Sequence, residues 1–125
     1  MIFFTALCTT LFFISPKADS DTADIRLIWM VSNVHEFGEL EKGSAANHAF
    51  TFLNNGNTPL TIENVRTTCG CTASEWPIHP IMPGDTGQIK ITYDASKKGA
   101  FEKKVRAFFN GIRKAEILTI KGIVR

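Results

Sequence analysis

From Ile25 onward the chain is written in short stretches in which apolar and polar side chains alternate, cut about every ten residues by Gly, Pro or Asn. A strand sends successive side chains to opposite faces, so this alternation gives each stretch one dry face and one wet face. Gly87-Gln88-Ile89-Lys90-Ile91-Thr92-Tyr93 shows it cleanly: Ile89, Ile91 and Tyr93 fall on one side, Gln88, Lys90 and Thr92 on the other. In His48-Ala49-Phe50-Thr51-Phe52-Leu53 the same parity puts Phe50 and Phe52 together. Nothing after Asp24 keeps the 3.6-residue period of an amphipathic helix over a useful length. Dry faces on short strands must be buried against one another, so the pattern points to two stacked sheets.

The remaining elements follow from the same parity and from turn chemistry. Strands are expected over Ile25–Ser32 and Val34–Leu40, with a turn at Glu41-Lys42-Gly43-Ser44. Asn54 to Pro59 reads as a turn, because Asn and Gly tolerate positive φ and Pro fixes its own. Leu60, Ile62 and Val65 supply the next apolar side, with an irregularity expected near Asn64. Pro77, Pro80, Pro83 and Gly84 then break up the segment before Gly87. A further strand covers Phe101–Phe109 with Val105 and Ala107 inward, and Asn110-Gly111 reads as a hairpin turn of the favoured type. Glu116–Val124 ends the chain, with Leu118, Ile120 and Val124 on the core side. The sum is an all-β, immunoglobulin-like antiparallel β-sandwich of about seven strands. With no linker, repeat or low-complexity stretch, residues 25–125 form one domain, and about a hundred residues suffice for one core.

Ahead of the domain, Ile2 to Ile14 form an apolar run followed by Ser15-Pro16 and a polar stretch to Asp24. As a helix the run rises about 20 Å, short of the roughly 30 Å hydrocarbon core of a bilayer. Residues 1–20 therefore read as a signal peptide, with small residues at Ala18 and Ser20 for cleavage after Ser20. No Lys or Arg precedes the run. A misplaced start codon would account for that, and an uncleaved tether is the other possibility. Cys8 sits inside the run after Leu7, which does not suit lipidation, and it leaves with the leader. The expectation is export to the periplasm or cell surface with no stable membrane insertion after cleavage. The two cysteines that remain suit an oxidising compartment.

A formal net charge of +2 does not steer the chain to nucleic acid. From Glu63 onward, however, there are 11 Lys/Arg against 6 Asp/Glu; before it the balance is 3 against 6. Lys97, Lys98, Lys103, Lys104, Arg106, Arg113 and Lys114 hold most of the excess and are expected on solvent faces and strand edges, where Lys discourages edge-to-edge pairing.

Cys69-Gly70-Cys71 is the constellation with chemical potential. Cysteines two apart can close a disulfide, and the intervening Gly removes steric resistance to the bend. So small a ring is strained and should be easier to reduce than a structural bridge. Two thiolates can instead hold a soft metal, with His79 and Met82 as further donors; Cu(I) suits that set. The plainer reading is a local staple or two small apolar side chains at a strand end. A four-ligand zinc site is not expected from two Cys and three His (His35, His48, His79) on different segments. His48 reads as a partly buried histidine with a hydrogen-bond partner. No nucleophile elbow, phosphate loop, dinucleotide fingerprint or carboxylate pair is present, so neither catalysis nor a cofactor is expected. Trp76-Pro77 and the apolar loop to Gly84 are the remaining candidate: Trp76 either caps the core or presents a contact.

Several of these residues together resemble a known family. They are His35-Glu36-Phe37-Gly38, H-x-F-x-F-x-N from His48 to Asn54, Gly56-Asn57, Pro59-Leu60, the TCGCT of Thr68 to Thr72, Pro80-Ile81, Pro83-Gly84, Gly99-x-Phe101 and L-x-I-x-G-x-V from Leu118 to Val124. The chain is similar over about Val34 to Arg125 to the bacterial domain-of-unknown-function family 1573, an exported immunoglobulin-like group akin to major-sperm-protein and hydin-type domains. Glu36 stands where that family commonly has Asp. The resemblance implies a fold and a compartment and no activity. The expected function is an exported, non-catalytic module that binds a protein or peptide in the cell envelope or serves it structurally, using Cys69, Cys71, Trp76, His79 and Met82. The alternative is a thiol-redox or Cu(I)-binding protein.

Overall fold

A computed structural model describes residues 24–125; the expected leader and its cleavage point lie outside them. Eight strands form: β1 Leu27–Trp29, β2 Val34–Leu40, β3 Ala46–Asn54, β4 Ile62–Thr67, β5 Thr72–Glu75, β6 Thr86–Tyr93, β7 Gly99–Phe109 and β8 Glu116–Val124. They make two four-stranded sheets, ordered β1-β3-β6-β5 and β2-β8-β7-β4. The chain changes sheet between β1 and β2, β2 and β3, β3 and β4, β4 and β5, and again between β6 and β7.

Parity decides which side chains fill the gap between the sheets. Phe50, Phe52, Ile89, Ile91 and Tyr93 are buried from the first sheet, and Val65, Phe101, Val105, Ala107, Phe109, Leu118, Ile120 and Val124 from the second. Each large apolar side chain so buried contributes about 1.5–3 kcal/mol. Phe52 joins the layers: its ring meets Phe109 at 5.3 Å and Trp29 at 5.6 Å, both edge-on, and Tyr93 stacks on Phe101 at 4.0 Å. Gly87 lets Phe52 lie where it does, since a Cβ there would stand 2.5 Å from the ring.

The structure departs from the sequence reading in four places. Thr72–Glu75 is a strand although it carries no alternating apolar side; its ladder to β6, from Thr72↔Tyr93 to Glu75↔Lys90, holds it in place. That makes eight strands where the pattern gives about seven. The β2–β8 pair is parallel, Val34 beside Thr119 and His35 beside Ile120, whereas the reading made all pairs antiparallel. Alternation sets which face is dry and carries no information about strand direction. The first strand is only Leu27–Trp29, because after Trp29 the chain leaves for the other sheet. Finally, the Asn110-Gly111 hairpin is wider than two residues: Ala107 pairs with Glu116, and the turn is Phe109–Ile112 with Gly111 at φ 74°. Asn110 is drawn away from the hairpin to the entry of β4, where its N–H donates to Thr61 O at 3.0 Å. Its Oδ1 accepts from Thr61 N at 2.6 Å. The irregularity expected near Asn64 is present as a register shift between Ile62 and Asn64.

Candidate functional site

Cys69-Gly70-Cys71 forms the crossing from β4 in one sheet to β5 in the other. The sulfurs are bonded at 2.00 Å with the α-carbons 5.2 Å apart, both residues are half-buried, and Cys71 packs against the core. Backbone and hydroxyl groups fix the crossing from both sides. Asp94 N donates to Cys71 O at 3.0 Å, Thr72 N to Cys69 O at 3.3 Å, and Thr67 Oγ1 reaches the carbonyls of Cys69 and Thr72 at 3.4 and 3.3 Å. Gly70 is exposed, and a Cβ there would meet nothing within 4 Å. Beside this end, burial and the Asp94 carboxylate push the Tyr93 phenol above its ordinary value.

The apolar loop lies at the other end of β5 and β6. Ile81 pairs with Leu60, and Asp85 N donates to Met82 O at 3.0 Å just before β6 begins. Since β6 runs from Thr86 to Tyr93, its length of about 23 Å separates this loop from the Cys71 end. The expected donor set of Cys69, Cys71, His79 and Met82 is therefore not brought together in one place. Among the described residues no group of three or more His, Cys, Asp or Glu stands close enough to hold a metal. The five candidate residues split likewise. Cys69 and Cys71 share one end; His79 and Met82 are exposed on the far loop; Trp76 is half-buried and packs against the core.

What braces the far loop is a residue the sequence reading assigned to a turn. Asn54 is fully buried at the end of β3. Its Nδ2 donates to Thr58 O at 2.9 Å and Ile81 O at 2.8 Å, and its Oδ1 accepts from Gly56 N at 3.1 Å. Its backbone N–H donates to Asp85 O and its carbonyl accepts from Gly84 N. One amide thus ties the 54–58 turn to the 81–85 segment. On this frame Ile78 is 88% exposed and Met82 52% exposed.

His48 has a different partner from the hydrogen bond expected for it. Its imidazole stacks on that of His35 with centroids 3.6 Å apart and planes 6° from parallel. Phe37 stands edge-on to His35 and Phe50 edge-on to His48. Burial, and then the neighbouring His35, hold the His48 pKa below its ordinary value of 6.5. His35 is the inward residue of β2 beside Ile120, so the pair joins an outer strand of the second sheet to β3 of the first.

A match to the family described as "Protein of unknown function (DUF1573)" spans residues 28–124, from β1 to the end of β8. The chain belongs to that family. No curated protein matches it. Among solved structures this DUF1573 domain is similar to a protein of unknown function from Porphyromonas gingivalis W83, with 19% identity and a TM-score of 0.66. The alignment covers 81% of this chain and 46% of the other, so the domain spans less than half of that protein. It is also similar to the ASH / PapD-like domain of human CEP192, at 10% identity and a TM-score of 0.65, over 94% of this chain and 96% of that one. A third is the secreted serine protease VesC from Vibrio cholerae, at 15% identity and a TM-score of 0.60, over 78% of this chain and 23% of the protease. At such identities the shared property is the immunoglobulin-like fold, and function has to be argued from the site.

Proposed function

We propose that this DUF1573 domain is an exported, non-catalytic binding module of the cell envelope that holds a protein or peptide partner on the 77–83 loop. The observation that carries the reading is the exposure of Ile78 and Met82, 88% and 52%, on a loop held at its base by Asn54. Apolar side chains kept in water on a fixed frame have the anatomy of an interface anchor. Pro77, Pro80 and Pro83 restrict the free loop, which lowers the entropy cost of ordering it on a partner. Sheet edges support the reading less well. β1 has 3 residues and β5 has 4, while β2 and β4 each carry a register shift. At β4, Asn64 Oδ1 takes up Val65 N at 2.9 Å. Short or bulged edges resist strand addition. The apolar run Ile2–Ile14 and the bridged cysteines support export.

The test is capture from the native envelope fraction on immobilised domain, with Ile78→Ser/Met82→Ser alongside. Wild type should retain a partner that the double variant loses, while both unfold at the same temperature. Equal retention by the two would remove the loop from the reading. A second reading, thiol exchange at Cys69-Cys71, is favoured by the half-exposed bridge and open Gly70. Thiol counting in glutathione buffers separates the two: a bridge that stays closed across the physiological range leaves a staple.

A further inference from the structure

The outward face of the second sheet carries a stripe of charge that the fold does not neutralise. Register places Arg66 directly opposite Arg106, and Arg106 opposite Ile117. The next row along the strands, about 7 Å away, aligns Lys104, Thr119 and Val34. Like charges set directly opposite on neighbouring strands repel. The ion pairs among the described residues are Arg26–Asp24 and Arg125–Glu39, so no carboxylate answers Arg66, Arg106 or Lys104. The Arg66 guanidinium lies over Phe108, 5.5 Å from the ring centroid, which holds it to the face. Lys103 adds a fourth cation. It has inward parity between Phe101 and Val105, but β4 ends at Thr67 opposite Val105, so Lys103 is only half-buried and lines one groove with Lys104, Arg106, Ile117 and the Glu102 that bounds the stripe.

The stripe is bounded and partly apolar. Ile117 is 39% exposed and Val34 46% exposed within these two rows. In the following row Glu102 and Glu36 flank Lys121, and beyond it Glu39 lies opposite Ile123. The sign of charge therefore reverses within one further row.

We infer that this stripe is a second binding surface and that its ligand is an acidic, extended peptide segment laid across the strands. Its carboxylates meet Arg66, Arg106 and Lys104, and its apolar side chains meet Ile117 and Val34. Such a ligand cancels the repulsion of the Arg66–Arg106 row, which the free domain carries at a cost. Width selects among anionic partners: a flat anionic membrane would also press on Glu36, Glu39 and Glu102, whereas a single extended chain fits inside the cationic rows. None of the 77–83 loop residues takes part, so this surface stands or falls separately from the loop.

The probe is a fluorescein-labelled heptapeptide alternating Glu with Val, titrated with the protein by fluorescence anisotropy, with a Lys-for-Glu peptide as control. Binding of the acidic peptide alone is expected, weakening as salt shortens the screening length to about 10 Å at 0.1 M. Arg66→Gln/Arg106→Gln should weaken it about tenfold, the effect of losing two surface charge contacts, and Lys104→Gln several-fold. Because repulsion is relieved, the double variant should unfold no earlier than wild type, which separates lost binding from lost fold. Ile78→Ser/Met82→Ser should bind the peptide unchanged. The inference is overturned if the acidic peptide fails to bind at low salt, if the arginine variant binds as tightly as wild type, or if phosphatidylglycerol vesicles bind and the peptide does not displace them.

Discussion

Asn54 has the inward parity of Phe50 and Phe52, and a polar side chain on a dry face must find partners there or cost free energy. It finds three, at Thr58 O, Ile81 O and Gly56 N. Asn54→Ala leaves two carbonyls and an N–H without that amide, and should cost about 2–4 kcal/mol in urea unfolding. Asn54→Asp should be at least as damaging at neutral pH, because a carboxylate cannot donate to the Thr58 and Ile81 carbonyls. A loss below about 1 kcal/mol for both variants would show that water replaces the amide easily. The signal for this residue was present in the alternation. It was hidden by Asn54-Asn55-Gly56-Asn57, whose composition reads as a turn whichever way Asn54 points. Met82 and His79 were visible as residue types, but their distance from Cys69 depends on which end of β5 each occupies, and that follows from a strand the alternation does not mark.

β2 is an outer strand, paired to β8 alone, and the His35–His48 stack is an aromatic contact from it to the opposite sheet. Burial, and then His35 stacked 3.6 Å away, favour neutral His48. A folded pKa below the unfolded 6.5 means that the unfolded chain takes up the proton first. The stabilisation is therefore fully present above pH 6.5 and is lost as pH falls from there through the lowered folded value. Denaturation at about pH 7 and pH 5 should show this loss, with faster amide exchange in β2 at the lower pH. His48→Phe, which keeps a ring and removes the titration, should flatten the dependence; an unchanged slope would place its origin elsewhere. The β4–β5 crossing behaves differently. A bridge between residues two apart closes almost no chain, so Cys69→Ser/Cys71→Ser should cost about 1.5 kcal/mol by loop entropy. A loss of 4 kcal/mol or more would mean that the crossing itself needs the bond. Seven of the eight strands were legible from parity and turn residues. The eighth and the direction of β2 were not, because both are set by what lies alongside: β6 recruits Thr72–Glu75, and β8 accepts β2 in the parallel sense.

At the scale of the whole molecule, the order of strands in each sheet departs strongly from their order in the chain. Leu27 pairs with Asn54, Ala46 with Tyr93, and Val34 with Thr119. Five of the connections pass between sheets, so no pair of consecutive strands before β5 can build a ladder of its own. The entropy of closing these long loops must be met before a contact such as Phe52–Phe109 forms. Sandwiches dominated by such pairings refold in milliseconds to seconds, whereas chains with local contacts are far faster. Stopped-flow dilution from urea, followed by Trp29 and Trp76 fluorescence, should show relaxation in that range. The disulfide offers a discriminating control: its ring spans residues 69–71 and shortens none of the long loops. Reduced and oxidised protein should therefore refold at rates within about twofold, with the lost stability appearing as faster unfolding. Should reduction instead slow refolding tenfold, the Cys69–Cys71 crossing would belong to the folding nucleus, and the ordering of β5 on β6 would have to precede the meeting of the two sheets.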